Sequence, residues 1–428
     1  MKSIMLLKEE LSGGKYDRRL KEIYVDSKCA KENCVRYQNA LERFEQLFPD
    51  VLEAGIYSAP GRSEVCGNHT DHQNGMVLAA SINLDVIAVA APVMEDRIYL
   101  VSGDCPMEVI DLTKLDAPEE EKGTTRALIK GVAAGFIKKG YRIGGFKAYA
   151  TSNVPIGAGL SSSAAFESLL GIILSDLYNE GGISQVEIAK IGQYAENVYF
   201  GKPCGLMDQM ACSVGGMIYI DFAEPEKVFV EKVETNFADA GICLCIVDTK
   251  GSHADLTGEY AAIPQEMNRI AEALGEEHLR TVEEEVFYQK LPMLRERFGD
   301  RAVLRSIHFF EEEKRVRAAV QALKDSDYAQ FLRIIESSGN SSAKYLQNVY
   351  CTDCVKTQNL SIALAVTERL LRAKGICRIH GGGFAGTIQV FLQENEVENY
   401  RNAMEEIFGH GSCHVLQIRP EGCIRVDG

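Results

Sequence analysis

From Ser161 to Tyr178 the chain carries hardly a polar residue beyond the first turn (SSSAAFESLLGIILSDLY). This stretch predicts a helix over residues 161–178 that is apolar on all sides, so other layers must enclose it. It is preceded by Pro155-Ile156-Gly157-Ala158-Gly159-Leu160, which merges into Ser161, Ser162 and Ser163. Glycines let backbone approach a ligand closely. A helix N-terminus offers unpaired N–H groups and a dipole that favours an anion. Serine hydroxyls add hydrogen bonds or reach a metal. The segment reads as an anion-binding loop of the phosphate-holding kind. It lacks the G-K-[ST] ending of the Walker pattern and is not the dinucleotide fingerprint. The competing reading is an ordinary serine-capped buried helix.

The rest of the chain supplies the enclosing layers. Residues 1–50 are polar, with Leu41, Phe44, Leu47 and Phe48 spaced for one buried helix face. From Ile56 onward β-rich runs appear, such as 84–90 and 147–151, broken by Gly, Pro, Asn and Asp. A helix is predicted over 184–199, opened by the capping box Ser184-x-x-Glu187. Its apolar stripe is Ile188, Ile191, Ala195 and Val198, with Glu196 off the stripe. Strand-like runs return at 217–222 and 242–248, and 261–345 is helical and charge-rich. The last unit reads helix (360–373), strand (375–379), glycine turn, strand (387–392), helix (395–408). Strands clustered in hairpins among helices argue an α+β fold. A division near residue 225 separates an N-terminal domain, 1–225, from a C-terminal domain, 226–428.

Composition removes several functions. With 46 Lys+Arg against 61 Asp+Glu the formal net charge is −15, which argues against a broad surface for nucleic acid. No apolar run reaches the roughly 18 residues of a membrane span, and the N-terminus is too short in apolar residues for a secretory core. Thirteen cysteines in 428 residues, several within apolar runs, predict free thiols and a reducing, cytoplasmic setting. Cys351 and Cys354 form a C-x-x-C without the second pair that a zinc site requires. An acidic surface with free thiols suits a monomer or a homodimer.

Three further segments carry chemistry-bearing residues. In Glu196–Gln209 two carboxylates, Glu196 and Asp208, stand twelve residues apart around a Gly-Pro-Gly-bearing turn. A magnesium nucleotide needs a hard oxygen ligand and a sugar hydroxyl needs a proton acceptor, so two carboxylates in separate roles fit. Two solvated surface acids are the bland alternative. Gly61–Gly75 (GRSEVCGNHTDHQNG) is almost entirely glycine or polar between apolar strands. Clustered Asn, His, Asp and Gln suit a polyhydroxyl ligand; a metal site from His69, Asp71 and His72 ranks below it. His380–Gly386 (HGGGFAG) is a glycine hairpin that, with the first loop, suggests two glycine segments closing on one phosphate chain.

The order of these four segments resembles the GHMP small-molecule kinases, and the first is similar to the galactokinase family. Family members read GRVNLIGEHTDY where this chain reads GRSEVCGNHTDH. P-x-GAGLSSSA is matched in full, GGGFGG by GGGFAG, CGIMDQ by Cys204–Gln209, and SEY by Gly258-Glu259-Tyr260. The likeness runs from about residue 40 to 395. It implies a two-domain GHMP architecture, a ribosomal-protein-S5-like N-terminal domain and a ferredoxin-like C-terminal domain. It implies ATP and Mg2+ as cofactors and a small-molecule sugar as partner. Asp208 matches the catalytic aspartate at the sugar C1 hydroxyl, and Arg62 the arginine beside it. Ser163 and Glu196 match magnesium ligands. Gly157, Ala158, Gly159, Leu160, Ser161, Ser162 and Ser163 match the phosphate loop, joined by Gly382 and Gly383. Glu64, Asn68, His69, Asp71 and Tyr260 match the sugar site.

The chain departs from the family at one informative place. Asn68 stands where galactokinases have glutamate, Glu64 where they have asparagine, and His72 where they have tyrosine. One expectation is that positions 64 and 68 are neighbours and the exchange keeps a single Glu–Asn hydrogen-bonded pair, leaving galactose as substrate. The other is a re-specified pocket for galacturonate, N-acetylgalactosamine or arabinose. A galactokinase-like sugar sensor without catalysis and a metal-dependent hydrolase are the readings from other classes.

Overall fold

The computed structural model describes the chain except residues 156, 252–255 and 352–354. Cys354 of the C-x-x-C therefore lies outside the described residues. The strands are β1 (Lys2–Ser3), β2 (Glu53–Cys66), β3 (Met76–Pro92), β4 (Arg97–Ser102), β5 (Glu108–Asp111), β6 (Phe146–Ser152), β7 (Met217–Asp221), β8 (Phe229–Val233), β9 (Ile242–Asp248), β10 (Gly375–His380), β11 (Thr387–Gln393), β12 (Cys413–Leu416) and β13 (Ile424–Arg425).

A nine-stranded sheet runs β1-β2-β3-β6-β4-β5, with β13 pairing β2 and the β7–β8 hairpin pairing β3. β3 is buried along nearly its whole length because both faces of the sheet are covered. Side chains alternate across a strand. Val86, Ala88 and Ala90 therefore join the core around helix Ser162–Asn179, while Ile87, Val89 and Ala91 pack on Leu41 and Phe44 of helix Ser27–Leu47. A four-stranded antiparallel sheet follows the order β10-β11-β9-β12. One of its faces is covered by helices Asn359–Leu371 and Val397–Phe408, and the other joins the main core through Leu244, Ile246 and Phe391. This is the mixed α+β architecture that the alternation of elements implied.

The division expected near residue 225 falls inside the β7–β8 hairpin, whose strands pair from Met217↔Val233 to Asp221↔Phe229. Glu224-Pro225 is a turn there, and a turn with proline resembles a boundary in sequence. The C-terminus also returns: Ile424 pairs with Ser58 of β2. The described cysteines are free thiols, and no helix among the described residues is long and apolar enough to cross a membrane.

Candidate active site

The site is built where β2 meets the loop before helix Ser162–Asn179. A bulge between Pro60 and Arg62 re-aims the strand. Gly61 permits the approach, since a Cβ there would lie 2.7 Å from the Leu160 carbonyl. The Arg62 amide donates to that carbonyl at 3.1 Å. Arg62 then commits every guanidinium nitrogen: Nε donates to Asp208 Oδ1 at 2.6 Å, Nη2 to Asp208 Oδ2 at 2.6 Å, and Nη1 to the Gly159 carbonyl. Burial alone would raise the Asp208 carboxyl, but Arg62 and the Ser161 hydroxyl bring it below its ordinary value, so it stays ionised.

Ser161 does not cap the helix. It precedes the helix at φ 57°, ψ 57°, a left-handed conformation uncommon for a side-chain-bearing residue, and makes no capping hydrogen bond. Its hydroxyl donates to Asp208 instead. The helix N-terminus is thus left without a side-chain cap, which is the state that favours an incoming anion. A carboxylate has about four lone-pair positions. Arg62 and Ser161 fill three on Asp208, leaving one on Oδ1.

Glu196 lies a short distance away. Helix Gln185–Tyr194 widens into a π-turn, Ala195–Phe200. That change of period buries Glu196 and leaves Val198 46% exposed, against the expected stripe. Ser163 Oγ donates to Glu196 Oε1 at 3.0 Å, Gln209 Nε2 to Oε2 at 2.6 Å, and Cys204 Sγ to Oε2 at 3.3 Å. Glu196 is therefore no solvated surface acid. Behind it sits Glu167, fully buried, reached by the same Gln209 amide at 3.1 Å. Burial and then the nearby Glu196 push the Glu167 carboxyl well above its usual range. Gln209, Glu167 and Lys202, whose ammonium lies 3.4 Å from Glu196 Oε1, escaped the sequence reading. The signal for Glu167 was an acid in the apolar first half of an enclosed helix. Hard oxygens of Ser163 and Glu196 converge here, so the residues present suit a magnesium ion.

The polar segment is not one extended stretch. Gly61–Cys66 belong to β2, and the chain then turns, with His69 at φ 58° and a 3-10 turn Asp71–Gln73. Asp71 abuts Gly205, where any Cβ would strike its carboxylate, so the Gly61–Gly75 segment and the Asp208 segment meet at that glycine. His69 Nε2 lies 3.0 Å from the Gly382 carbonyl, and Tyr260 Oη donates to the Gly383 carbonyl at 2.6 Å. Tyr260 and Asn348 fill the space beside Gly382 and Gly383, so these glycines pack on those two side chains and meet the Gly61–Gly75 segment through His69. The hairpin's flanks, His380 and Thr387, face Gly159.

Positions 64 and 68 are neighbours. Asn68 Nδ2 lies 3.2 Å from both Glu64 oxygens and donates to the Gly381 carbonyl at 2.7 Å. Asn68 Oδ1 accepts from Asn348 Nδ2 at 2.9 Å, and Glu64 Oε1 accepts from Arg378 Nη2 at 2.7 Å. Both side chains are buried and spend their hydrogen bonds inside the protein, so they support the Gly61–Gly75 segment from beneath rather than lining an open face.

Three imidazoles here are held neutral. Burial and then His72 push His69 down to about 4, and burial also lowers His308 and His380. In the unfolded chain each binds a proton below about pH 6.5. Stability from these groups is therefore complete above that pH and is lost as pH falls toward the folded values. Stability should therefore fall as the pH is lowered from 7 to 5, with His69 still neutral in the fold at pH 5. Urea denaturation at pH 7, 6 and 5 checks this; equal midpoints would contradict it.

Residues 127–216 match the family described as GHMP kinases N terminal domain, and residues 42–92 match the galactokinase galactose-binding signature. A curated galactokinase of Streptomyces coelicolor is 31% identical over 86% of this chain and 92% of its own length. One of Thermotoga petrophila is 30% identical over 80% and 93%. The crystal structure of Lactococcus lactis galactokinase complexed with galactose superposes with TM-score 0.77, 24% identity, over 91% of this chain and 100% of that one. A mevalonate kinase structure gives 0.61 at 17% identity, over 86% and 99%. The fold and the site thus define a GHMP small-molecule kinase. Within that class the chain belongs to the galactokinase family.

Proposed function

We propose that the protein transfers the terminal phosphoryl group of ATP to the anomeric C1 hydroxyl of galactose. The observation that carries this reading is the Arg62–Asp208 pair clamped to the glycine–serine loop through Gly159 and Ser161. It sets a proton acceptor and a fixed cation beside a helix N-terminus that suits phosphates. Phosphoryl transfer passes through a loose transition state, so positioning and charge neutralisation dominate. Asp208 orients the C1 hydroxyl with its open Oδ1 position. It takes the proton as the new O–P bond forms and the bond to ADP breaks. Arg62 holds Asp208 in place and adds positive charge beside the transferring group. Ser163 and Glu196 would hold Mg2+, which supplies charge neutralisation on the nucleotide. Asp71, beside Gly205, and His69, neutral and able to share hydrogen bonds, face the sugar; Glu64 and Asn68 fix the segment that presents them. The buried Glu64–Asn68 pair favours galactose over a sugar acid, because the exchange leaves the same two groups bonded to each other.

The test is a magnesium-ATP consumption assay over galactose, N-acetylgalactosamine, galacturonate, glucose, arabinose and mevalonate. Turnover on galactose well above the others is expected. Sugar binding with no turnover on any of them would overturn the catalytic assignment in favour of a sensor. For the metal, Glu196→Gln should raise the magnesium concentration for half-maximal rate about 10-fold, roughly one lost charge-assisted contact. An unaltered magnesium dependence would remove Glu196 from that role.

A further inference from the structure

We infer that Lys202 is a second phosphate-contacting cation of the active site, which closes on the terminal phosphates of the bound nucleoside triphosphate. The inference rests on the phosphoryl-transfer reading above and adds a residue to it. Lys202 stands between Gly201 and Pro203 in the turn that follows the π-segment. Gly201, at φ 80°, caps that segment, and the Lys202 amide donates to the Glu196 carbonyl at 3.1 Å. The backbone of the turn is therefore held against Glu196 while the side chain stays largely in solvent. Its ammonium lies 3.4 Å from Glu196 Oε1, the oxygen that also accepts from Ser163 in the first turn of the loop's helix. It is also near enough to Asp208 for its charge to help keep that carboxylate ionised.

Two observations separate this lysine from a structural ion pair. The first is that Glu196 does not depend on it. The carboxylate is 2% exposed and already accepts from Ser163, Gln209 and Cys204, whereas the Lys202 side chain is 65% exposed. A pair so exposed on the cation's side contributes little to stability, and releasing it leaves Glu196 satisfied. The second is that the site's other cation cannot move. Arg62 is bound through all three nitrogens to Asp208 and the Gly159 carbonyl. A nucleotide polyphosphate lying over the uncapped helix N-terminus would bring several negative charges beside Ser163. Lys202 is a flexible cation that can answer them, since a lysine stem carries its point charge over several ångströms by rotamer change alone.

The experiment uses the full-length enzyme and the variants Lys202→Met and Lys202→Arg. Isothermal titration with the non-hydrolysable analogue AMP-PNP gives a readout independent of turnover, and steady-state kinetics supply the second. Expected for Lys202→Met is about a 10–100-fold fall in kcat/KM for ATP and a similar weakening of the analogue, the usual size for one charge-assisted hydrogen bond. The KM for sugar and the melting temperature should stay at wild-type values, and Lys202→Arg should recover most of the loss. Wild-type affinity for AMP-PNP in Lys202→Met would overturn the inference. So would a lowered melting temperature with only the magnesium requirement changed, which would make Lys202 a support for Glu196. Asp208→Asn serves as the parent control. Full turnover in that variant would sink the phosphoryl-transfer reading itself, whereas an inactive Asp208→Asn beside an unaffected Lys202→Met would sink the lysine alone.

Discussion

Asp208→Asn is expected to lower turnover by about 10²–10⁴-fold, the usual worth of a positioned proton acceptor. The amide keeps the shape but loses one acceptor oxygen and the negative charge. Arg62 donates to both Asp208 oxygens and Ser161 to one of them, so the variant cannot satisfy all three donors and still accept from a substrate hydroxyl. The buried guanidinium also loses its counter-ion. A stability loss of about 1–3 kcal/mol should accompany the kinetic effect, because a buried charged donor is left partly unpaired. The two effects are separable: thermal melting reads the second, and kcat at a temperature well below the transition reads the first. Turnover within a few-fold of wild type would falsify the assignment of Asp208 and shift the weight of the step to Arg62 and the loop.

Glu64→Ala should be the most destabilising single substitution near the site, by about 3–5 kcal/mol. Arg378 is fully buried, and Glu64, 5% exposed, is the carboxylate it donates to; among the described residues its other hydrogen bond goes to the Val65 carbonyl at 2.5 Å, with Glu312 as a more distant charge. Removing Glu64 strands a buried positive charge. Asn68→Glu should also destabilise, since two carboxylates would then share one buried site. The double exchange, Glu64→Asn with Asn68→Glu, restores one carboxylate and one amide, but not everything. Asn68 now donates to the Gly381 carbonyl, and an ionised glutamate cannot. The double variant should therefore regain about half of the loss in urea denaturation. Variants that fold should keep the wild-type sugar preference. If the exchange raised galactose turnover many-fold while erasing use of another sugar, positions 64 and 68 would have to face the ligand.

These two predictions draw on different depths of information. Asp208 was legible because the Cys204–Gln209 segment matches a family motif, and because a sugar hydroxyl needs a proton acceptor. That Glu64 and Asn68 are neighbours was also inferred from sequence, out of a reciprocal exchange four residues apart. The buried partner of Glu64, Arg378, lies more than three hundred residues away and reaches it because β10 of the second sheet packs beside β2. No periodicity in either segment reports that.

Local chemistry in the sequence determined the elements themselves. The apolar run became the enclosed helix Ser162–Asn179, Ser184 accepts from the Glu187 amide as its capping box implied, and the glycine turn joins β10 to β11. These follow from propensity, capping and burial period, which act over a few residues and are written in adjacent letters. What the tertiary structure decided is where polar side chains spend their hydrogen bonds. Ser161 caps nothing and turns to Asp208. A π-turn swings Glu196 inward and Val198 outward. Lys202 reaches Glu196, and Arg378 holds Glu64 from another sheet. Each of these depends on a partner brought near by packing between distant elements, because a buried polar group must find whichever partner the fold places within about 3 Å.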